Sequence, residues 1–448
     1  MEGTDLRNNP RKYGIIIPKS GNTNYMWYDK TGNNPKERNK KIRKVNLLLN
    51  ELGIKHELNS LFETEEVTKL NEKGIILVNL PPWGVNNPPL GLACLSEYLK
   101  SKNIKVSVFD FNIELYNKVK KDYSNLWHVE NKNYWSNDNF FNKLLSLFSQ
   151  EINTAVEKIV NSNANIVAFS VVDPKERLAI EIIKRVKEKR PGIKVVLGGP
   201  ACATPASRGF FEERIPELVD AYIVGEGEET LSEVVDKINK NMPLEKVHGV
   251  IVFKNNKENN LLLREPLKPE EIPSPTYNDF DLSQYGDVNS LLMEWSRGCI
   301  ANCSFCIGKI MLGRYRFKEP KRIIEEIKYY VKEKVIKRFT VVDNLINGDL
   351  KKLEETCDLI IKNKLEISWS CEGIGIEMPL SLLKKMKAAG CNEFQIGVES
   401  GSDGVLRKMR KPYTAKSAES LVRRAKKAGL KTEIFIMIGF PGETESEF

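Results

Sequence analysis

The sequence predicts an α/β protein made of two successive parts: a doubly wound parallel sheet, then a second run of strand–helix repeats. Three observations carry this reading. From Gly74 onward, short apolar runs alternate with amphipathic stretches of helical length. The runs stop at breakers such as Pro81-Pro82-Trp83-Gly84 and Gly198-Gly199-Pro200. A proline-rich stretch from Pro266 to Pro275 divides the alternation in two. A length of 448 residues accommodates two or three domains.

Residues 1–73 are polar, rich in Asn and Lys, with one candidate helix at Lys44–Asn50, and they read as an extension without an assigned role. Gly74–Leu80 is continuously apolar, as a strand covered on both faces must be. A helix over 90–101 and a strand over 106–110 follow, then an aromatic-rich insertion at 112–160 with helical ends. Further strands are predicted at 165–171, 194–197 and 221–224, with helices at 174–189 and, after Gly225–Thr230, to about residue 240. Residues 247–264 predict a hairpin in which Val250–Phe253 and Leu261–Leu263 flank Asn255-Asn256. The domain boundary falls near Tyr285, giving segments 1–73, 74–245, 246–285 and 286–448. The second part begins with a strand at 291–295. Strands near 338–342, 366–371, 393–398 and 432–438 alternate with helices at 320–334, 349–363, 379–389 and 415–427. The sequence stops where another helix is expected, so this part is expected to be incomplete at its C-terminus.

Composition narrows the function. Hydrophobic residues at 41% and charged residues at 29% are those of a globular protein. No apolar run approaches the ~20 residues of a membrane span, and no signal-type stretch opens the chain, so a cytoplasmic location is expected. The net charge of +9 comes from scattered lysines without interleaved aromatics, which reads as solvated helix faces and not as a nucleic-acid surface. The three histidines, His56, His128 and His248, are too dispersed for a metal site.

The chemistry lies in the run Arg297-Gly298-Cys299-Ile300-Ala301-Asn302-Cys303-Ser304-Phe305-Cys306. Three thiolates on one tight loop can hold three corners of a four-iron, four-sulfur cluster and leave the fourth iron open to a substrate. Structural zinc favours four ligands in two close pairs, and no fourth Cys or His lies nearby. Cys94, Cys202, Cys357, Cys371 and Cys391 read as buried, inert thiols, with Cys202 of interest because it follows the Gly198-Gly199 turn.

This spacing, CxxxCxxC with Phe305 before the last cysteine, resembles the signature of radical S-adenosylmethionine (radical SAM) enzymes, and the resemblance extends over residues 290–448. It implies a partial (β/α) barrel whose cluster loop follows the first strand. It also implies that S-adenosylmethionine chelates the open iron and is cleaved, after one-electron reduction, to a 5′-deoxyadenosyl radical. Beyond Phe305, the resemblance carries S-adenosylmethionine contacts to Asp343 at the end of the second strand, Glu399 and Ser400 at the fourth, and Gly439 at the fifth.

Residues 74–245 bear a second resemblance, to the flavodoxin-like cobalamin-binding domain that precedes many such barrels. It rests on Pro81-Pro82, Pro89-Leu90-Gly91-Leu92, Leu197-Gly198-Gly199-Pro200 and Val224-Gly225-Glu226-Gly227-Glu228. The implied cobalamin contacts are Pro82, Leu90, Gly91, Ser170, Gly198, Gly199, Glu226 and Gly227. The loop after the first strand lacks the Asp-x-His-x-x-Gly pattern, so no histidine is expected to ligate the lower face of cobalt.

Together these resemblances imply a cobalamin-dependent radical SAM enzyme. Its expected reaction is methyl transfer to an unactivated carbon or phosphorus of a small molecule or peptide, with a reductant such as flavodoxin or ferredoxin. An oxidative cyclase or rearrangement enzyme with the same cofactors, and a non-catalytic iron–sulfur protein, are the alternatives. A methylthiolating RNA enzyme would need a second N-terminal cysteine cluster, and residues 1–290 hold only Cys94 and Cys202.

Overall fold

The computed structural model describes residues 74–254 and 257–447. The candidate helix at 44–50, the turn at Asn255-Asn256 and His56 lie outside the described residues.

The first sheet comprises β1 (Gly74–Asn79), β2 (Val106–Asp110), β3 (Ala164–Ser170), β4 (Lys194–Gly198), β5 (Ala221–Ile223) and β6 (Val250–Ile251). Their spatial order is β2-β1-β3-β4-β5-β6. The first five are mutually parallel, and β6 runs antiparallel to β5. Side chains alternate across the sheet, as the two-residue period of a strand requires. Ile75, Leu77, Ile166, Ala168 and Val196 join one core, while Ile76, Val78, Val167, Phe169, Val195 and Leu197 join another. The first of these cores continues into the second part of the chain through Leu291, Ile323, Ile327 and Phe339.

The second sheet comprises β7 (Ser290–Met293), β8 (Arg338–Val341), β9 (Ser368–Ile374), β10 (Cys391–Glu399) and β11 (Lys431–Ile436). It is wholly parallel, in the order β11-β10-β9-β8-β7. Helices Pro320–Glu333, Leu350–Lys362, Leu380–Ala388 and Ala415–Lys427 connect its strands. Among the described residues no helix is long and apolar enough to cross a membrane.

The structure departs from the sequence reading at three places. The insertion is helical almost throughout, in Phe111–Tyr123, Asp138–Leu147 and Ser149–Val160. Trp135 anchors it, with its indole N–H donating to the Leu126 carbonyl at 2.8 Å. Two short helices, Pro205–Glu212 and Asp403–Lys408, were not foreseen; each starts at a hydroxyl cap, Thr204 and Ser402. The expected hairpin forms, but its regular pairing is short: Phe253-Lys254 runs antiparallel to Lys257-Glu258, and Gly249 N donates to the Leu262 carbonyl at 2.6 Å, while Leu261–Leu263 forms no strand. Unforeseen is that its first arm also adds Val250 and Ile251, both fully buried, to β5, since joining the first sheet buries more apolar surface than a lone hairpin can. The Asn259 side chain then accepts from Val252 N at 2.8 Å and closes the loop early.

This pairing predicts unequal costs. Ile251→Ala should lower the unfolding free energy by about 2–4 kcal/mol. Leu262→Ala, at a side chain half exposed, should change it by less than about 0.5 kcal/mol. Chemical denaturation of the two variants checks this, and equal losses would count against the difference in burial between the two arms.

Candidate functional site

The cysteine loop is shaped by what happens immediately after β7. The predicted strand to residue 295 stops at Met293, and Asp343 captures Trp295 and Ser296 just beyond it. Its Oδ1 accepts from Trp295 N at 2.8 Å and its Oδ2 from Ser296 Oγ at 2.7 Å. Asp343 is 2% exposed, and burial pushes its pKa up to about 7 against these hydrogen bonds. Ser296-Arg297 then turns to pair antiparallel with Arg316-Phe317. Gly298 has φ +77°, and a Cβ there would lie 2.2 Å from the Arg314 carbonyl oxygen, so only glycine fits the turn.

All eight cysteines are free; Cys299 and Cys303 are half-buried and Cys306 is exposed, whereas the other five are buried. Backbone N–H groups point at two of the loop sulfurs, Ala301 N at Cys299 Sγ (3.4 Å) and Gly308 N at Cys306 Sγ (3.2 Å). Such donors stabilise thiolates and tune clusters. Ser304 N donates to the Met409 carbonyl at 3.0 Å, pinning the loop to the segment after helix Asp403–Lys408. Among the described residues no three Cys, His, Asp or Glu side chains stand grouped to hold a single metal ion. Three reachable thiols with aimed N–H groups fit an iron–sulfur core. Cys202 is buried, and burial raises its thiol far above the ordinary range.

At the carboxyl end of β10, Glu399 adopts φ +66°, where the register with β11 slips. Its backbone oxygen accepts from Met437 N at 2.8 Å and its carboxylate pairs with Lys411 at 2.8 Å. The Lys411 ammonium lies 5.1 Å from the centre of the Phe305 ring, and that ring stands edge-on to Phe440 at 6.3 Å. Gly439 has φ +78°, faces open space, and donates its N–H to Glu443 Oε2 at 2.6 Å. Ser400 is buried, with Oγ accepting from Ser402 N at 3.1 Å. The structure thus joins Phe305, Glu399 and the Gly439-Phe440 turn around the cysteine loop. Asp343 stands apart from that group, with both carboxylate oxygens already engaged.

On the first sheet the strand order reverses about β1, and the carboxyl ends of β1 and β3 flank the switch point where such folds bind ligands. Residues Asp110, Asn79, Ser170 and Gly198 stand in register across that edge. Asn79 donates to Asp110 at 2.9 Å and accepts from Lys175 Nζ at 2.7 Å; Tyr285 donates to the other Asp110 oxygen at 2.7 Å. Burial pulls Lys175 down to about 7 and pushes Asp110 up. Lys175 lies 4.3 Å from the ring centre of Trp83, whose backbone N–H donates to Asn112 at 2.9 Å. Gly199 has φ +93° and approaches the Val171 carbonyl closely, while Gly84 and Gly91 face open space. Leu90 is buried in the core, and Gly227 packs against Leu95. Pro82 belongs to the loop after β1. A polar edge with open glycines and a half-exposed indole suits a large, flat, polar-rimmed ligand such as cobalamin.

The two edges are tied together by charge. Arg297, two residues before Cys299 and almost fully buried, pairs with Glu228 at 2.7 Å, Glu294 at 2.6 Å and Glu226 at 3.5 Å. Arg316 pairs with Glu226 and donates to the Leu267 carbonyl at 2.6 Å. Burial pushes Glu228 up, but Arg297 outweighs it and holds the carboxyl below its usual range; for Glu226 burial wins and its pKa is raised. Glu226 is therefore engaged by arginines. A cavity of about 230 Å³ opens beside this network, between Gly225-Glu226, Arg264–Leu267 and Ile310–Arg314. Sequence reasoning missed Arg297, Arg316, Lys411 and Lys175 as parts of the site; the one local signal was Arg297 standing immediately before Gly298-Cys299.

Comparison with known proteins agrees with this geometry. Residues 293–448 match the radical SAM superfamily model and residues 82–235 the B12 binding domain model. An uncharacterized methyltransferase of Pyrococcus horikoshii is 31% identical over 278 residues, covering 60% of this chain and 59% of that protein. The chain thus spans well under two thirds of that relative's length. The solved structure of OxsB, a cobalamin-dependent S-adenosylmethionine radical enzyme with aqua-cobalamin and S-adenosylmethionine bound, shares the fold. Its TM-score is 0.66 at 20% identity, covering 82% of this chain and 49% of that one. The radical S-adenosylmethionine methyltransferase TsrM from Kitasatospora setae gives 0.63 at 17% identity, covering 84% and 69%.

Arg297→Met strands three carboxylates in a buried site and should lower stability by about 3–5 kcal/mol. Adding Glu228→Met should recover part of that loss. Denaturant unfolding of the single and double variants measures the coupling, and strictly additive losses would count against a shared network.

Proposed function

We propose that the chain, which matches a B12 binding domain and a radical SAM domain in succession, is a cobalamin-dependent radical SAM enzyme that cleaves S-adenosylmethionine reductively to a 5′-deoxyadenosyl radical. We further propose that it transfers a methyl group to an unactivated carbon, or a phosphorus, of a small molecule or peptide. The observation that carries this reading is the arginine–glutamate network. Arg297, at the root of the cysteine loop, is held by Glu226 and Glu228 from the loop after β5. A methyl carrier on one sheet edge and a radical source on the other can share a substrate only if their loops are held together.

In this reading Cys299, Cys303 and Cys306 hold the four-iron, four-sulfur cluster, with the Ala301 and Gly308 N–H groups turned to its sulfurs. Phe305, Glu399, Ser400 and the Gly439-Phe440 turn surround the nucleoside. Asp343 acts as a positioning residue, fixing the Trp295-Ser296 turn from which the loop departs. Pro82, Ser170, Gly198 and Gly199 line the cobalamin edge, with Leu90, Gly91, Glu226 and Gly227 supporting its loops. When bound, the cluster supplies the electron that splits the sulfonium, and cobalamin carries the methyl group. The loop after β1 offers Trp83 and no histidine to that edge. A one-electron protein such as flavodoxin or ferredoxin serves as reductant, and the thiols and cluster suit a reducing cytoplasm. The same reading divides the chain at 1–73, 74–245, 246–285 and 286–448.

The test is anaerobic reconstitution of the protein with iron, sulfide and cobalamin, followed by dithionite and S-adenosylmethionine. S-adenosylhomocysteine and 5′-deoxyadenosine are both expected, and Cys303→Ala should abolish the deoxyadenosine. Deoxyadenosine without S-adenosylhomocysteine would favour cyclisation or rearrangement, and neither product would refute the proposal.

A further inference from the structure

Lys411 is a buried basic side chain that touches both the cysteine loop and Glu399. Its side chain is only 4% exposed, and its sequence neighbourhood, Arg410-Lys411-Pro412-Tyr413, resembles an ordinary basic turn. The ammonium bonds Glu399 at 2.8 Å and stands 5.1 Å from the Phe305 ring centre and 5.8 Å from that of Tyr413. Phe305 lies between Cys303 and Cys306 in sequence, so the cation packs on the cysteine loop itself. Glu399 lies on the other side of the ammonium, on a residue held at φ +66°. Backbone strain of this kind persists only where surrounding contacts enforce it, and the Lys411 pair and the Met437 hydrogen bond do so here.

Resting on the functional reading above, we propose that the Lys411–Glu399 pair is an electrostatic setting for the cluster. The buried cation raises the cluster's reduction potential, and Glu399 moderates it while being aimed by it at the nucleoside. The physical ground is that reduction adds negative charge to the cluster, so a nearby cation favours the reduced form and a nearby anion opposes it. Because Lys411 is itself buried, its charge is screened less than a surface charge would be. Lys411 is thus a positioning and tuning residue for the cysteine loop, and it takes no part in ligation.

The test measures midpoint potential on the reconstituted protein without S-adenosylmethionine, by anaerobic redox titration followed by electron paramagnetic resonance. Iron and sulfide content confirm an intact cluster. Lys411→Met should shift the potential to more negative values, Glu399→Gln should shift it to more positive values, and Lys411→Arg should stay near wild type. Opposite shifts from the two halves of one pair are not a signature of general damage. If Lys411→Met fails to hold a cluster, Glu399→Gln decides alone: a positive shift supports the inference and no shift overturns it. Shifts of the same sign, or none, in proteins with intact clusters overturn the inference and leave the functional reading standing. A wild-type protein that assembles no cluster overturns both.

Discussion

The buried guanidinium of Arg297 is the constraint on which the site depends. It neutralises carboxylates from two sequence-distant loops, Glu226 and Glu228 after β5 and Glu294 at the end of β7. A charge taken out of water is costly unless it is paired, and replacing a buried ion network with apolar side chains is often neutral or favourable. The network therefore adds little to bulk stability. Its worth is geometric: the planar guanidinium donates along fixed directions, so it locks the angle and separation of the loops it joins. Gly298 follows at once and cannot carry a side chain, so the cysteine loop inherits its starting position from Arg297.

A second layer of constraint acts from the other sheet edge. Asp343 captures Trp295 and Ser296 just beyond β7, and Ser304 hangs the far side of the loop on Met409. The raised pKa of Asp343 and the depressed pKa of Glu228 show the two ways a buried acid can be held. Asp343 has only neutral donors, so burial dominates; Glu228 has Arg297, and the opposite charge dominates. Asp343 holds Trp295 and Ser296, and Glu228 holds Arg297, so both acids grip the segment that leads into the cysteines. The three thiols stand at the end of a rigid path instead of on a free loop.

How much of this was legible in the sequence follows from the range of the forces involved. Strands β1, β3 and β4 announced themselves as apolar runs because both faces of a parallel sheet are covered, and the cysteine spacing was local to eight residues. What the sequence hid was long-range. Val250 and Ile251 read as one arm of a hairpin, and their further pairing needs the free edge of β5. Asp343 read as a strand-end residue, and only the fold brings its oxygens to the Trp295 N–H and the Ser296 hydroxyl. The residues that join the two sheets, Arg297 with Glu228 and Arg316 with Glu226, are spread over about a hundred positions and have no period. Lys411 was invisible for a simpler reason: basic residues are usually solvated, and burial is a property of the fold.

The polar edge of the first sheet shows the same logic without arginine. Lys175, Asn79, Asp110 and Tyr285 form a continuous hydrogen-bonded chain from the loop after β3 to the segment just before β7. Asn79 is the hinge of that chain, because its amide offers a donor to Asp110 and an acceptor to Lys175 at once. An aspartate in its place would face Asp110 with like charge, and a leucine would strand a buried ammonium. Tyr285, close to the boundary expected between the domains, completes the row from outside the first sheet. The junction is therefore sealed twice, by arginines next to the cysteine loop and by this neutralised chain next to the switch point. Two seals at separate points fix the relative rotation of two sheet edges, which a single contact cannot do.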